Sequence, residues 1–291
     1  MNLVKDTFEY KKIDNQSIYA DVYKAQGNKT PVILYIHGGG LIWGSRKDIP
    51  KKQIELYNSA GFAVVSIDYR LAPETKLTHI IEDIKDAIQW VRYEGPKLFN
   101  IDENKIAVVG GSAGGYLSLM TGTFSEKPNA IVSFYGYGDI LGNWSLSPSK
   151  FYLMRTNITK EQAYASIGNS TVSDGRIERF LFYLYCRQQG NWIPEITGYD
   201  LVFDKEQFDY LSPINNITKE FPPTLLIHGD KDTDVPYEQS VHMNQQLCSH
   251  GIDSKLITIK DGKHAFDYEI DTPEALKAIE STIEFIKKHL E

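Results

Sequence analysis

Val108-Val109-Gly110-Gly111-Ser112-Ala113-Gly114-Gly115 places a Gly-x-Ser-x-Gly turn between an apolar run, Ile106 to Val109, and a helix-forming run, Tyr116 to Thr121. Glycines at 110 and 114 let the backbone pass close to its neighbours and accept strained dihedrals. The turn predicts a serine hydroxyl held on a sharp elbow at a helix N-terminus. There the backbone N–H groups and the helix dipole favour developing negative charge. This is the pattern of an enzyme nucleophile. Serine is weak in that role at neutral pH and needs a base to take its proton and a third group to orient the base.

Around the elbow the chain alternates two periodicities. Short β-rich runs at 32–36, 62–67, 106–109, 131–134, 224–227 and 255–259 read as strands, and most are nearly continuous in apolar residues, as expected for strands covered on both faces. Helical patterns separate them, at 51–58, 80–93, 235–250 and 274–290. In the second, Ile81, Ile84, Ile88 and Val91 share one stripe, and in the last, Leu276, Ile279, Ile283, Ile286 and Leu290 recur at three- and four-residue steps. This alternation predicts an α/β fold with a mostly parallel, doubly wound sheet. Residues 8–24, with Asp14-Asn15-Gln16 at their centre, predict a β-hairpin. Residues 140–215 break the rhythm. They hold little β pattern and are rich in rings, among them Trp144, Tyr152, Phe180, Tyr183 and Trp192. They read as a helical cap insertion above a core made of 1–139 and 216–291. Most of these rings are expected to form the cap's own core, and the remainder to line a substrate crevice.

The partners of Ser112 follow in the expected order. The strand at 224–227 runs into His228-Gly229-Asp230-Lys231-Asp232-Thr233-Asp234, and the strand at 255–259 into Asp261-Gly262-Lys263-His264. His264 is assigned as the base and Asp232 as the orienting acid. Asp230 and Asp234 stand as alternatives for the acid. Otherwise Asp230 would fix the loop through backbone N–H groups, and Asp234 would cap the next helix. His37 and His228 end strands and are expected to hydrogen-bond backbone. The run His37-Gly38-Gly39-Gly40 leaves N–H groups unshielded after a buried strand. Gly39 and Gly40, with the N–H of Ala113, are the expected oxyanion donors.

Composition narrows the partners. Hydrophobic residues make up 42% and charged residues 24%, enough for a sizeable core. A net charge of −7 and the lack of a basic patch argue against nucleic acid. Met1 to Asp6 show no apolar signal segment, and no run of about 18 apolar residues occurs, so no membrane association and a cytoplasmic location are expected. Cys186 and Cys248 show no metal-ligand spacing and read as unpaired thiols.

Three motifs together carry a resemblance: His37-Gly38-Gly39-Gly40, Gly110-Gly111-Ser112-Ala113-Gly114-Gly115, and Asp68-Tyr69-Arg70-Leu71-Ala72-Pro73-Glu74. The chain resembles the α/β-hydrolase superfamily and, within it, the hormone-sensitive-lipase-type and acetyl-esterase-like carboxylesterases. Xylan acetyl esterases, kynurenine formamidase-like hydrolases and prolyl oligopeptidase catalytic domains are similar. The resemblance covers about residues 30–139 and 222 to the end. It implies the α/β-hydrolase fold, short-chain acyl esters as small-molecule substrates, no metal or organic cofactor, and a fold compatible with a homodimer. It also implies that Arg70 and Glu74 form a structural ion pair beneath the oxyanion turn. There are three departures. The lipase-type cap ahead of the first glycine motif is replaced by strand-like residues, Gly111 stands where the elbow usually has aspartate, and Thr75-Lys76-Leu77-Thr78 replaces a proline-rich continuation. The cap aromatics would favour an aryl or bulky alcohol portion. An arylformamidase or other amidase using the same triad is the rival enzyme, and a hydrolase-fold small-molecule receptor the non-enzymatic one.

Overall fold

The structure is a computed structural model and describes residues 4–290. β1 (Lys5–Ile13) and β2 (Gln16–Tyr23) form the expected hairpin, turning at Asp14, whose φ is 51°. The remaining strands are β3 (Thr30–Ile36), β4 (Ala63–Ile67), β5 (Ile101–Gly111), β6 (Ala130–Phe134), β7 (Thr224–Gly229) and β8 (Ser254–Ile259). They lie in one sheet ordered β1-β2-β4-β3-β5-β6-β7-β8. β3 to β8 pair in parallel, and β2 joins β4 antiparallel. The chain leaves β3 for β4 on one side and then takes β5 on the other. The C-terminal ends of β3 and β5 therefore flank the switch point, where such sheets receive ligands.

The helices are α1 (Lys51–Ser59), α2 (Leu77–Phe99), α3 (Ala113–Thr121), α4 (Asn143–Leu146), α5 (Lys150–Leu153), α6 (Lys160–Ala165), α7 (Phe180–Gln189), α8 (Trp192–Thr197), α9 (Lys205–Leu211), α10 (Glu238–Ser249) and α11 (Pro273–Leu290). β3 shows why the sheet needs cover on both sides. Val32, Leu34 and Ile36 pack with residues of α2 and α3, whereas Ile33 and Tyr35 pack with residues of α1 and α11. Each such aliphatic side chain contributes roughly 1.5–3 kcal/mol when fully buried. α11 presents Ala275, Ala278, Ile279, Thr282, Phe285, Ile286 and Leu290 inward. α2 continues past the expected end at 93, through Gly95 and Pro96 to Phe99. A Cβ on Gly95 would stand 2.9 Å from both Ile101 Cγ1 and Phe99 Cζ, so glycine here permits close packing and does not end the helix. α4 to α9 all lie between β6 and β7, and among the described residues no helix is long and apolar enough to cross a membrane.

The expected Arg70–Glu74 pair does not form. Arg70 grips Asp83 of α2 through Nε (2.8 Å) and Nη2 (2.7 Å), while Glu74 accepts from Arg179 Nη1 (2.8 Å) and Nη2 (2.6 Å). The segment between β4 and α2 is irregular, so side chains four apart diverge and each buried charge takes the partner it faces. Arg179, just before α7, also donates to the carbonyls of Ile42 (2.6 Å) and Ala72 (2.7 Å). Its side chain is 6% exposed and that of Glu74 is 5% exposed. Arg179→Met strands a buried carboxylate and is expected to cost about 3–5 kcal/mol. A melting curve should fall by about 6–10 °C; a shift below about 2 °C would mean that this staple carries little stability.

Candidate active site

The elbow forms as its glycines require. Ser112 sits between β5 and α3 at φ 56°, ψ −121°. A Cβ on Gly114 would lie 2.0 Å from the Ile36 carbonyl oxygen, and one on Gly110 2.4 Å from that of Gly114. Only glycine lets α3 start this close to β3. A non-glycine residue at positive φ persists only where its surroundings enforce it. Here the Ser112 N–H donates to Phe134 O (2.9 Å) and the α3 N–H of Tyr116 to Ser112 O (2.9 Å).

Two loops from distant strands meet the serine. His264, after β8, has Nε2 3.0 Å from Ser112 Oγ and Nδ1 2.7 Å from Asp232 Oδ2. Asp232, after β7, also accepts the N–H groups of Asp234 (2.8 Å) and Val235 (3.0 Å) on Oδ1, and His228 Nε2 lies 3.2 Å from its Oδ2. Burial opposes the Asp232 charge, but the hydrogen bonds from His228 and His264 outweigh it and hold the carboxyl well below the usual carboxylate range. For His264, burial disfavours the charged ring. The Asp232 hydrogen bond and the charges of Asp234, Asp232 and Asp267 more than offset this and raise its pKa above the usual 6.5. Asp230 accepts the Asp261 N–H (2.7 Å), the loop-fixing part expected of it.

The glycine loop after β3 faces the same space. Gly39 and Gly40 have φ of 101° and 58°. Among the described residues, no other backbone carbonyl takes the N–H of Gly39, Gly40 or Ala113. Gly39 lines the cavity, and Gly40 and Ala113 are buried next in the chain to the lining residues Gly39 and Ser112. His37 anchors the loop floor, with Nδ1 2.7 Å from Gly38 O and its ring stacked on Tyr69 at 4.2 Å. Burial pushes its pKa down to about 4, so the ring is neutral. Tyr69 donates to the His37 carbonyl (3.0 Å) and the Ala72 N–H to Leu41 O (2.8 Å), which places the motif Asp68 to Glu74 against this turn. From above, Trp192 Nε1 donates to Gly40 O (3.1 Å) and the Tyr183 ring covers Gly40.

These groups open on a cavity of about 430 Å³. Its rings are Trp43, Tyr135, Tyr152, Phe180 and Tyr268; its charged residues besides His264 are Asp48 and Asp234, with no lysine or arginine among the described lining residues.

Residues 18–247 match the BD-FAE family. The chain belongs to the BD-FAE family. Non-reducing polyketide synthase adrD of Penicillium roqueforti is 30% identical over 341 residues and covers 98% of this chain, which spans 14% of that protein's length. A protein of unknown function from Staphylococcus aureus subsp. aureus Mu50 superposes with a TM-score of 0.83 at 25% identity, covering 98% of this chain and 100% of its own. An alpha/beta hydrolase superfamily protein from Enterococcus faecalis follows at TM-score 0.78 and 26% identity, covering 98% and 99%. Carboxyl esterase 2 of Tuber melanosporum shares the fold at TM-score 0.73 and 22% identity, covering 99% and 87%. The fold is that of the α/β hydrolases.

Three features of this BD-FAE chain escape sequence reading. Asp234 does not cap α10, which starts at Glu238; its Oδ1 accepts from Tyr183 OH (2.8 Å) and Arg187 Nη1 (2.6 Å), and its Oδ2 lies 3.8 Å from His264 Nε2. Arg187 is buried among Trp144, Tyr152, Tyr183 and Trp192, each ring centroid within 5.7 Å of its guanidinium. A lone arginine in the aromatic run Phe180 to Gln189 was the available signal. Asp267 is buried beneath the histidine loop, accepts from Tyr135 OH, and is pushed up to about 6 by its burial.

Proposed function

We propose that this chain is a serine hydrolase of carboxylic esters, acting on short acyl groups through Ser112, His264 and Asp232. The observation that carries the reading is the unbroken line from Ser112 Oγ to His264 Nε2 (3.0 Å) and from His264 Nδ1 to Asp232 Oδ2 (2.7 Å). Ser112 Oγ attacks the ester carbonyl carbon as His264 Nε2 takes its proton. The carbonyl electron pair moves to oxygen, where the N–H groups of Gly39, Gly40 and Ala113 receive it, each worth roughly 3 kcal/mol. Collapse breaks the bond to the alcohol, which leaves with the proton from His264. Water then enters by the same route and frees the acid and Ser112. Asp232 holds the imidazole tautomer and stabilises its charged form. The acidic, ring-lined cavity favours neutral alcohol portions over anionic ones, because Asp48 and Asp234 face it without a lining cation.

A substrate panel tests the reading: alkyl and aryl esters from acetyl to decanoyl, acyl thioesters prompted by the polyketide-synthase likeness, and N-formyl aromatic amines. Acetyl to hexanoyl esters are expected to lead in kcat/KM. Formamides outrunning every ester would replace the esterase reading with an amidase one.

A further inference from the structure

We propose that Asp234 is a further catalytic residue, whose free carboxylate oxygen and His264 Nε2 together hold the water that hydrolyses the acyl-enzyme. The inference rests on the hydrolase reading above and adds a residue to it. Asp234 Oδ1 is saturated by Tyr183 and Arg187, and the Arg187 guanidinium also holds the Asp234 backbone carbonyl (3.1 Å). Caged by four rings, Arg187 cannot swing away, so the carboxylate orientation is fixed from the cap side. The side-chain hydrogen bonds within 3.5 Å all fall on Oδ1, the Tyr152 hydroxyl faces the same carboxylate across the cavity, and the Asp234 side chain is 10% exposed, on the cavity wall. A carboxylate oxygen held this way calls for a donor from solvent or substrate.

Its position selects the donor. Oδ2 and His264 Nε2 are 3.8 Å apart, a gap that one water spans with two ordinary hydrogen bonds of about 2.8 Å. Nε2 becomes free once Ser112 Oγ is acylated. Water in the gap donates one proton to Nε2 and the other to Oδ2, which turns an oxygen lone pair outward to the ester carbon. The oxygen bonds to that carbon, and the carbonyl pair moves to the oxyanion site. Nε2 takes the first proton and later returns it to Ser112 Oγ as the acyl–oxygen bond breaks. The second proton stays on the departing acid, and Asp234 accepts it as a hydrogen bond only. An alcohol has one hydroxyl proton and cannot satisfy both acceptors, so the pair favours hydrolysis over acyl transfer to alcohols.

The test separates the two half-reactions on p-nitrophenyl acetate. First-turnover p-nitrophenol release reads acylation, steady-state turnover reads deacylation, and added methanol reads the partition between water and alcohol. Asp234→Asn must give its oxygen to Arg187 and Tyr183, leaving an amide N–H₂ where water needs an acceptor. Deacylation is expected to slow about tenfold, with acylation held within about threefold and a larger share of methyl ester. Because Asp234→Asn leaves a buried cation unpaired, the double variant Asp234→Leu with Arg187→Leu, which removes the cation and every acceptor at position 234, is run beside it and should show the same defect. Rates are expressed per site labelled by a fluorophosphonate, so an incompletely folded preparation still reports. Acylation and deacylation falling in parallel, or an unchanged water–methanol partition, would overturn the role of Asp234. Failure of the wild-type protein to label and to turn over any ester would instead overturn the hydrolase reading.

Discussion

Ser112→Ala is expected to lower kcat on a short-chain ester by about 10⁶-fold. In the proposed mechanism the side chain supplies the only bond that forms between protein and acyl group, and the alanine methyl has no lone pair for the carbonyl carbon. His264→Ala should cost about as much, because without Nε2 the Oγ proton, 3.0 Å away, has no acceptor. The double variant should be no worse than either single, since the three side chains act as one device. A residual rate of about 10³ over water would remain from the oxyanion donors. Steady-state assays with fluorophosphonate labelling check this. Turnover by Ser112→Ala within tenfold of wild type would remove the serine from the chemistry.

Asp232→Asn is expected to lower kcat by about 10⁴-fold and to move the pH profile. His264 works as a base only when neutral, so activity falls as pH drops through its pKa. That pKa lies above 6.5, because the Asp232 hydrogen bond and the nearby carboxylates outweigh burial. The acid limb of kcat/KM in the wild type should therefore have its midpoint above 6.5. Asparagine removes the charge and turns a donor toward Nδ1, so the limb should move to lower pH even as the rate collapses. A limb unmoved by the substitution would show that another group sets it.

The strands that end in chemistry were the easiest to read. β3, β5, β7 and β8 each hold a β-rich run that stops within three residues of a glycine, so both the parallel sheet and the loop tips follow from local pattern, although β5 begins five residues before that run, at Ile101, and β8 is only partly covered. Of Ser112, His264 and Asp232, picked out as separate loop residues, His264 stands within hydrogen-bond reach of the other two. What escaped reading depends on side-chain direction in irregular backbone. Arg70 and Glu74 are neighbours in sequence, yet one turns to Asp83 and the other to Arg179. Asp234 has the look of a helix cap, and only the buried Arg187, 47 residues earlier, pulls it to the cavity wall. The rings of α7 show the same limit. Phe180 lines the cavity and Tyr183 covers Gly40, although both are aromatic, lie three residues apart, and share one helical face.

The same division extends to Tyr152 of α5 and Trp192 of α8 and gives the protein two separate controls. Phe180 borders the space a ligand would fill, so changing its size re-ranks ligands, whereas Tyr152 borders that space and also covers the Arg187 guanidinium, so it cannot change alone. Tyr183 and Trp192 press on the peptide unit of Gly40 itself, so altering them changes the tempo for every ligand at once. A lineage adapting this scaffold to new molecules can therefore vary Phe180 first, while Tyr183 and Trp192 must change together with the turn they brace.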